Sequence, residues 1–413
     1  MGSACSRGES ASEVCVAEDG PVAAQGEYDV AALRAEGPAG LERVLREYDA
    51  ASGVERERLA VIVDGVAAQR YATVLRLYWY TDLTAARAAA RASGKPILSL
   101  RMLGRLDEDR SCANSRFFRV ALYGNAALST WLRDAFVLHW SSERAVPKLT
   151  IDYGDGRSIE TTIAGNSAHY VLDAEGRVLD VVPGLMTPGA FRVELAGALG
   201  LAQRLARERS DTARAAAIAE HHQARYDAIA AEWRQVAAPA VAGGPSAIAR
   251  AEETTVAKAV VERPVVESAE LGPSPTSVAA NSEVWGRVGA ELLARRGLER
   301  GPQAVLDAQS IALLESLRPI DWSTRGPLDA AGLRALQSSF AESIVADTGM
   351  NLTRMRMAIH RELQRRARNG APLDFTAVNE WLYSSLFLTP ATDPWLGLAT
   401  PGTFTGLPRD GVK

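Results

Sequence analysis

The chain has 413 residues, enough for two or three ordinary domains, with 47% hydrophobic and 23% charged residues. That balance excludes a disordered or collagen-like polymer. A formal charge of −4 excludes general affinity for nucleic acid or anionic membrane surfaces.

Residues 1–26 read as a polar, disordered leader broken by Gly20-Pro21. The start, Met1-Gly-Ser-Ala-Cys5-Ser, has two readings. It is either a plain polar terminus, cytoplasmic by default, or the mature end of an extracytoplasmic lipoprotein whose signal peptide was removed before Cys5. Cys5, Cys15 and Cys112 are an odd set with irregular spacing. They form neither a disulfide framework nor a zinc pattern.

Residues 27–79 carry N-terminal helices, with Leu33, Leu41, Val44, Leu45 and Tyr48 at helix spacing, then Leu59, Ile62 and Val66. From 80 to 205 the pattern alternates. A helix from Asp82 ends at Gly94-Lys-Pro, and Ile97–Leu100 is a buried-type strand. After a charged loop, Cys112-Ala-Asn-Ser115 opens the helical run Arg116–Leu122. A helix over Ala126–Arg133 precedes the strand Phe136–Trp140. Two hairpins follow: Leu149–Tyr153 with Ser158–Ile163 around Asp155-Gly156, and Ala168–Leu172 with Arg177–Val182 around Asp173–Gly176. Pro188–Leu205 is helical. The order implies an α/β fold, a mixed sheet covered by helices.

A long helix over 206–236 leads into a proline- and glycine-rich linker at 237–280, which would let the two halves move. Residues 281–413 form a mostly α-helical C-terminal domain. Its helices are predicted at Val284–Arg296, Gln303–Leu317, Asp329–Ala346, Asn351–Arg368 and Phe375–Phe387. The tail holds Trp395, Leu396, Leu398 and Phe404, too apolar to be free, and is expected to pack on those helices. No segment is long enough to be transmembrane.

Residues 80–205 resemble the thioredoxin superfamily, specifically its bacterial members of uncharacterised role. The resemblance rests on Gly94-Lys-Pro-Ile-Leu-Ser-Leu100, Cys112-Ala-Asn-Ser115, Phe136-Val-Leu138 and Tyr170–Val178 with Pro183-Gly184, about 120 residues. It implies a thioredoxin-like domain with a degenerate Cys-x-x-Ser motif. Ser115 stands where the resolving cysteine would be, and Gly165-Asn-Ser-Ala168 holds no proline where redox members have a cis-proline. Without a second thiolate, no intramolecular dithiol cycle can release a mixed disulfide.

The candidate catalytic residues are Cys112, Ser115 and His169. A thiol at a helix start feels the positive end of the helix dipole. His169, beside the former proline position, could face it as a base. Asn114 and Ser115 are expected to cap that helix. His221-His222 and the basic run Arg356–Arg368 read as solvated helix faces, and adjacent histidines point to different sides of a helix, so they make no metal pair.

No cofactor and no metal is implied. Two functional readings remain: a non-enzymatic interaction module that binds another protein, or a monothiol redox protein forming a mixed disulfide with a protein or small thiol, or sensing peroxide, through Cys112. No nucleic-acid partner is expected.

Overall fold

The computed structural model describes residues 28–162, 166–240, 275–321, 323–394 and 408–411. The leader, Cys5 and Cys15, most of the predicted linker and the aromatic tail at 395–404 lie outside these residues.

At its centre is a four-stranded sheet in the order β2-β1-β5-β6, made of β1 (Ile97–Leu103), β2 (Val137–Arg144), β5 (Ala168–Leu172) and β6 (Val178–Pro183). β1 pairs with β2 in parallel, while β5 runs antiparallel to both β1 and β6, so the sheet is mixed. The remaining hairpin, β3 (Lys148–Asp152) and β4 (Ser158–Thr162), forms a separate two-stranded sheet. β1 is an apolar run because both faces of a central strand are covered.

Strand alternation, interrupted by an irregularity in the β5–β6 pairing, sorts the side chains onto two cores. Leu98, Leu100, Leu138, Trp140, Val171, Leu179 and Val182 face one core, together with Cys112, Phe118, Leu132, Phe191 and Leu195. The latter come from α6 (Ala113–Phe117) with its π-helical continuation Phe118–Leu122, α7 (Ala126–Ala135) and α8 (Pro188–Leu205). Ile97, Val137, Tyr170, Leu172, Val178 and Val181 face the other core.

Helices from both ends of the chain close that second face. α5 (Leu83–Ser93) supplies Ala86 and Ala90, and α14 (Arg356–Asn369) supplies Ile359 and Leu363. α15 (Phe375–Trp381) and its π-helical continuation Leu382–Leu386 supply Val378, Leu382 and Tyr383. The C-terminal helices are thus built into the cores of the sheet rather than set apart from it.

α1 (Val30–Ala35), α2 (Pro38–Ala50), α3 (Gly53–Ala67) and the single turn α4 (Ala72–Leu75) pack around a third cluster that includes Leu41, Val44, Val63 and Tyr78. The other helices are α9 (Asp211–Ala240), α10 (Pro275–Arg295), α11 (Pro302–Val305), α12 (Ala308–Ser316) and α13 (Ala330–Met350), the last continued by a π-helical turn at Asn351–Met355.

Many ends are set by local chemistry. Asp82 accepts from the Thr84 and Ala85 amides to start α5, Thr187 caps α8 ahead of Pro188, and Asp329 and Asp374 start α13 and α15. Gly94 ends α5 at φ 70°, a left-handed conformation that costs glycine little. The predicted helix Gln303–Leu317 is two pieces. Asp307 breaks it, capping α12 through Ser310 N while its other oxygen accepts from Ala126 N at 2.8 Å, at the start of α7.

Candidate functional site

Cys112 is the N-cap of α6, after the loop that follows β1. Its side chain is 0% exposed. The thiol donates to Ser115 Oγ at 3.4 Å. The single hydroxyl proton of Ser115 then has two acceptors, Ser111 Oγ at 2.6 Å and the Cys112 carbonyl at 2.8 Å. Ser115 therefore does not cap the helix through its hydroxyl, as the sequence suggests, but turns back onto its start.

The loop over the thiol is closed from three sides. Thr162 of β4 donates to the Ser111 carbonyl at 2.7 Å. At Gly104 a Cβ would meet Val146 Cγ1 at 3.1 Å, so the hairpin side packs directly on the backbone. From below, the buried guanidinium of Arg119 donates to the carbonyls of Glu108 and Asp109 and to Ser111 Oγ, at 2.8, 3.2 and 3.0 Å. Burial pushes the Arg119 pKa down, and these oxygens replace part of its lost hydration, Nε having no partner among the described residues.

His169 lies on the same face of the sheet, buried among Phe118, Tyr123 and Phe191. Its Nε2 pairs with the Tyr123 hydroxyl at 2.6 Å, and its Nδ1 has no hydrogen-bond partner among the described residues. Burial lowers its pKa to about 3, so the ring is neutral at pH 7. Neither ring nitrogen is hydrogen-bonded to the thiol, so no Cys–His nucleophile pair is assembled. The Tyr123 phenol is pushed up, first by burial and then by the nearby Cys112.

The segment before β5 is covered by the chain's own C-terminal part. Asn166 Nδ2 donates to Thr389 Oγ1 at 2.8 Å, and Tyr383 donates to the Asn166 carbonyl at 3.2 Å. Tyr170 donates to Asn379 Oδ1 at 2.9 Å, and Asn379 Nδ2 donates in turn to Glu143 at 2.9 Å. Arg144 binds the Asp393 carbonyl at 2.9 Å. Burial pushes the Tyr383 phenol up.

A second constellation was not legible in sequence. Arg356, expected on a solvated face, is 1% exposed. It grips both oxygens of Asp180 at 2.6 and 2.8 Å and Glu194 at 2.9 Å. Arg225 and Arg296 reach the same Glu194 at 2.7 and 3.0 Å. Burial alone would raise both carboxyl pKa values; Arg356, joined at Glu194 by Arg225 and Arg296, offsets it, and both lie below the ordinary range.

His222, also expected in solvent, is fully buried. Its Nδ1 faces His360 Nδ1 at 2.8 Å, and its Nε2 donates to the Leu179 carbonyl at 3.0 Å. Asp180, His222 and His360 offer ligand atoms within 4.8 Å of one another. The three come from β6, α9 and α14, far apart in sequence. No local spacing could have announced them, and the one visible sign, Asp180 inside the apolar run of β6, reads as a strand residue.

A cleft of about 610 Å³ opens between α2 and the sheet side, lined by Leu41, Leu45, Tyr78, Tyr80 and Phe136 and by Arg46, Arg76, Lys95 and Arg133. Glu42, Asp49 and Asp134 also line it. Among the described residues, no helix is long and apolar enough to cross a membrane. No protein-family model, no curated protein and no solved structure matches this chain.

Proposed function

We propose that this chain is a catalytically degenerate thioredoxin-like protein that works as a protein-interaction module. The observation that carries the reading is the enclosure of Cys112: a fully buried thiol, bonded to Ser115 where a resolving thiol would stand, with no base on it. The thioredoxin-like reading is supported by the sheet order β2-β1-β5-β6 with β5 antiparallel, and by the helix capped by Cys112 that is the next element after β1. Beside Ser167 and Ala168, which on this reading stand where redox thioredoxins have their cis-proline, the chain's own Tyr383 and Thr389 hydrogen-bond to Asn166.

The cleft beside α2 is the surface that suits a partner. Its apolar and aromatic side chains, with Arg46, Lys95 and Arg133 against Glu42 and Asp134 once Arg76 is paired with Asp49, fit a peptide with acidic side chains flanking an apolar one.

Two assays test this. Dithiothreitol-driven reduction of a protein disulfide, and consumption of peroxide, should be the same for the wild type and Cys112→Ser, at the uncatalysed rate. Turnover that disappears in Cys112→Ser would replace the reading with the monothiol redox one. In a displayed peptide library, the wild type should enrich acidic sequences that an Arg46→Glu/Lys95→Glu variant binds at least about tenfold more weakly, a change of about 1.4 kcal/mol. No enrichment, or binding indifferent to these changes, would remove the cleft from the proposal.

A further inference from the structure

The cluster around His222 lies outside the thioredoxin-like site and contains the ingredients of a metal centre. Its side chains come from three elements that each bury them: Asp180 on β6, His222 on α9 and His360 on α14. The tautomer of His222 is set by its surroundings. The Leu179 carbonyl can only accept, so Nε2 carries the proton and Nδ1 presents a lone pair toward His360. An imidazole whose far nitrogen donates to a backbone carbonyl is the arrangement that orients histidine ligands on metals. His360 Nε2 is buried with no hydrogen-bond partner among the described residues. On Asp180, Oδ1 already accepts from Arg356 and from the Val181 amide, but Oδ2 accepts from Arg356 alone and keeps a lone pair.

We propose that Asp180, His222 and His360 bind one divalent first-row transition ion of the zinc class, through Asp180 Oδ2 and the two Nδ1 atoms. The ion takes the place of the hydrogen bond between the rings, and the proton that His360 held on Nδ1 moves to its Nε2. With metal–nitrogen bonds of about 2.0–2.1 Å, tetrahedral ligands sit about 3.3 Å apart, so the two nitrogens move apart by about half an ångström from their 2.8 Å separation. Arg356 keeps Glu194 and the Val181 carbonyl, and holds the other side of Asp180 in a fixed orientation.

The guanidinium beside the site sets its selectivity. An oxygen-seeking ion such as Mg²⁺ or Ca²⁺ gains one crowded carboxylate oxygen against that positive charge. An ion that bonds strongly to neutral imidazole gains two ring nitrogens. Zn²⁺, Co²⁺, Ni²⁺ and Cu²⁺ are therefore accepted, and Mg²⁺ and Ca²⁺ are not. Because the ligands are buried, the ion enters as α9 and α14 close on β6.

The test uses the full chain without a polyhistidine tag and with Cys5, Cys15 and Cys112 changed to serine, so that no thiol competes. The chain is refolded with Co²⁺ or with Mg²⁺ and freed of excess ion. The proposal expects one cobalt per chain, a visible absorption band of a four- or five-coordinate site, displacement of that band by Zn²⁺, and no retained magnesium. In His222→Gln and in His360→Gln, affinity should fall by more than the about 10- to 100-fold that changes around the ligands cost. Absence of stoichiometric cobalt in the parent would overturn the proposal even if neither variant folds. So would cobalt retained equally by folded His222→Gln and His360→Gln.

Discussion

A guanidinium without water around it must be held entirely by protein oxygens, and Arg356 is held by Asp180, Glu194 and the Val181 carbonyl. Replacing one member of such a buried set is costly because it leaves the partner's charge unpaired. Arg356→Met should lower stability by about 3–5 kcal/mol in urea unfolding. Glu194 keeps Arg225 and Arg296, so Asp180 bears most of the loss. A change below about 1 kcal/mol would mean the cluster relaxes or is hydrated.

Two other buried side chains contribute to the acid limit. His139 pairs with Ser99 at 2.8 Å, and burial, assisted by Arg101, lowers its pKa to about 4; burial alone takes His169 to about 3. Both folded values lie below the unfolded value of about 6.5, so between them the unfolded chain binds more protons and stability rises with pH. Their contribution is full above about pH 6.5 and is lost as pH falls toward 4 and 3. At pH 5 each group then contributes about 2 kcal/mol less than at pH 7. The urea midpoint should accordingly be lower at pH 5 than at pH 7, and an equal or higher one would contradict neutral, buried rings.

At the scale of elements, α10 and α13 cross with almost no space between backbones. A Cβ on Gly349 would lie 2.7 Å from Gly289 N and 2.8 Å from Trp285 O, and one on Gly289 would strike the Val345 carbonyl. Gly349→Ala should therefore force the helices apart and cost about 1–3 kcal/mol, read as a lowered melting temperature. An unchanged melting temperature would show that the helices separate freely.

Elements whose ends are written locally were legible in the sequence. Pro188–Leu205 is helical over the predicted bounds because Thr187-Pro188 starts it, and the Asp173–Gly176 turn joins the strands as read. The π-helical turns at Phe118–Leu122, Asn351–Met355 and Leu382–Leu386 carry no local signature. They lie within the helices that begin at Cys112, lead into Arg356 and present Tyr383. Hydropathy placed the arginines of α14 in water because it sees one helix at a time. Arg356 is buried by acids from β6 and α8, which that helix's own pattern does not contain.

At the scale of the whole molecule, the helical C-terminal part completes the second face of the sheet, and among the described residues the apolar side chains of β1, β2, β5 and β6 there are otherwise covered mainly by α5. A chain ending at Gly370 loses Val378, Leu382, Tyr383 and Phe387 from that core. It should be recovered as aggregate or bind a hydrophobic dye strongly. A soluble truncated chain with the parent's melting temperature would show that the sheet is stable without them.

The same segment lies across the approach to the loop before β5, next to the enclosed thiol. The decisive measurement is the alkylation rate of Cys112 in a Cys5→Ser/Cys15→Ser chain, with and without denaturant. A structural, sealed cysteine predicts no labelling of the native protein and full labelling only once it unfolds. Native labelling at or above the rate of a free thiol at the same pH would contradict the closed site and make Cys112 a working nucleophile.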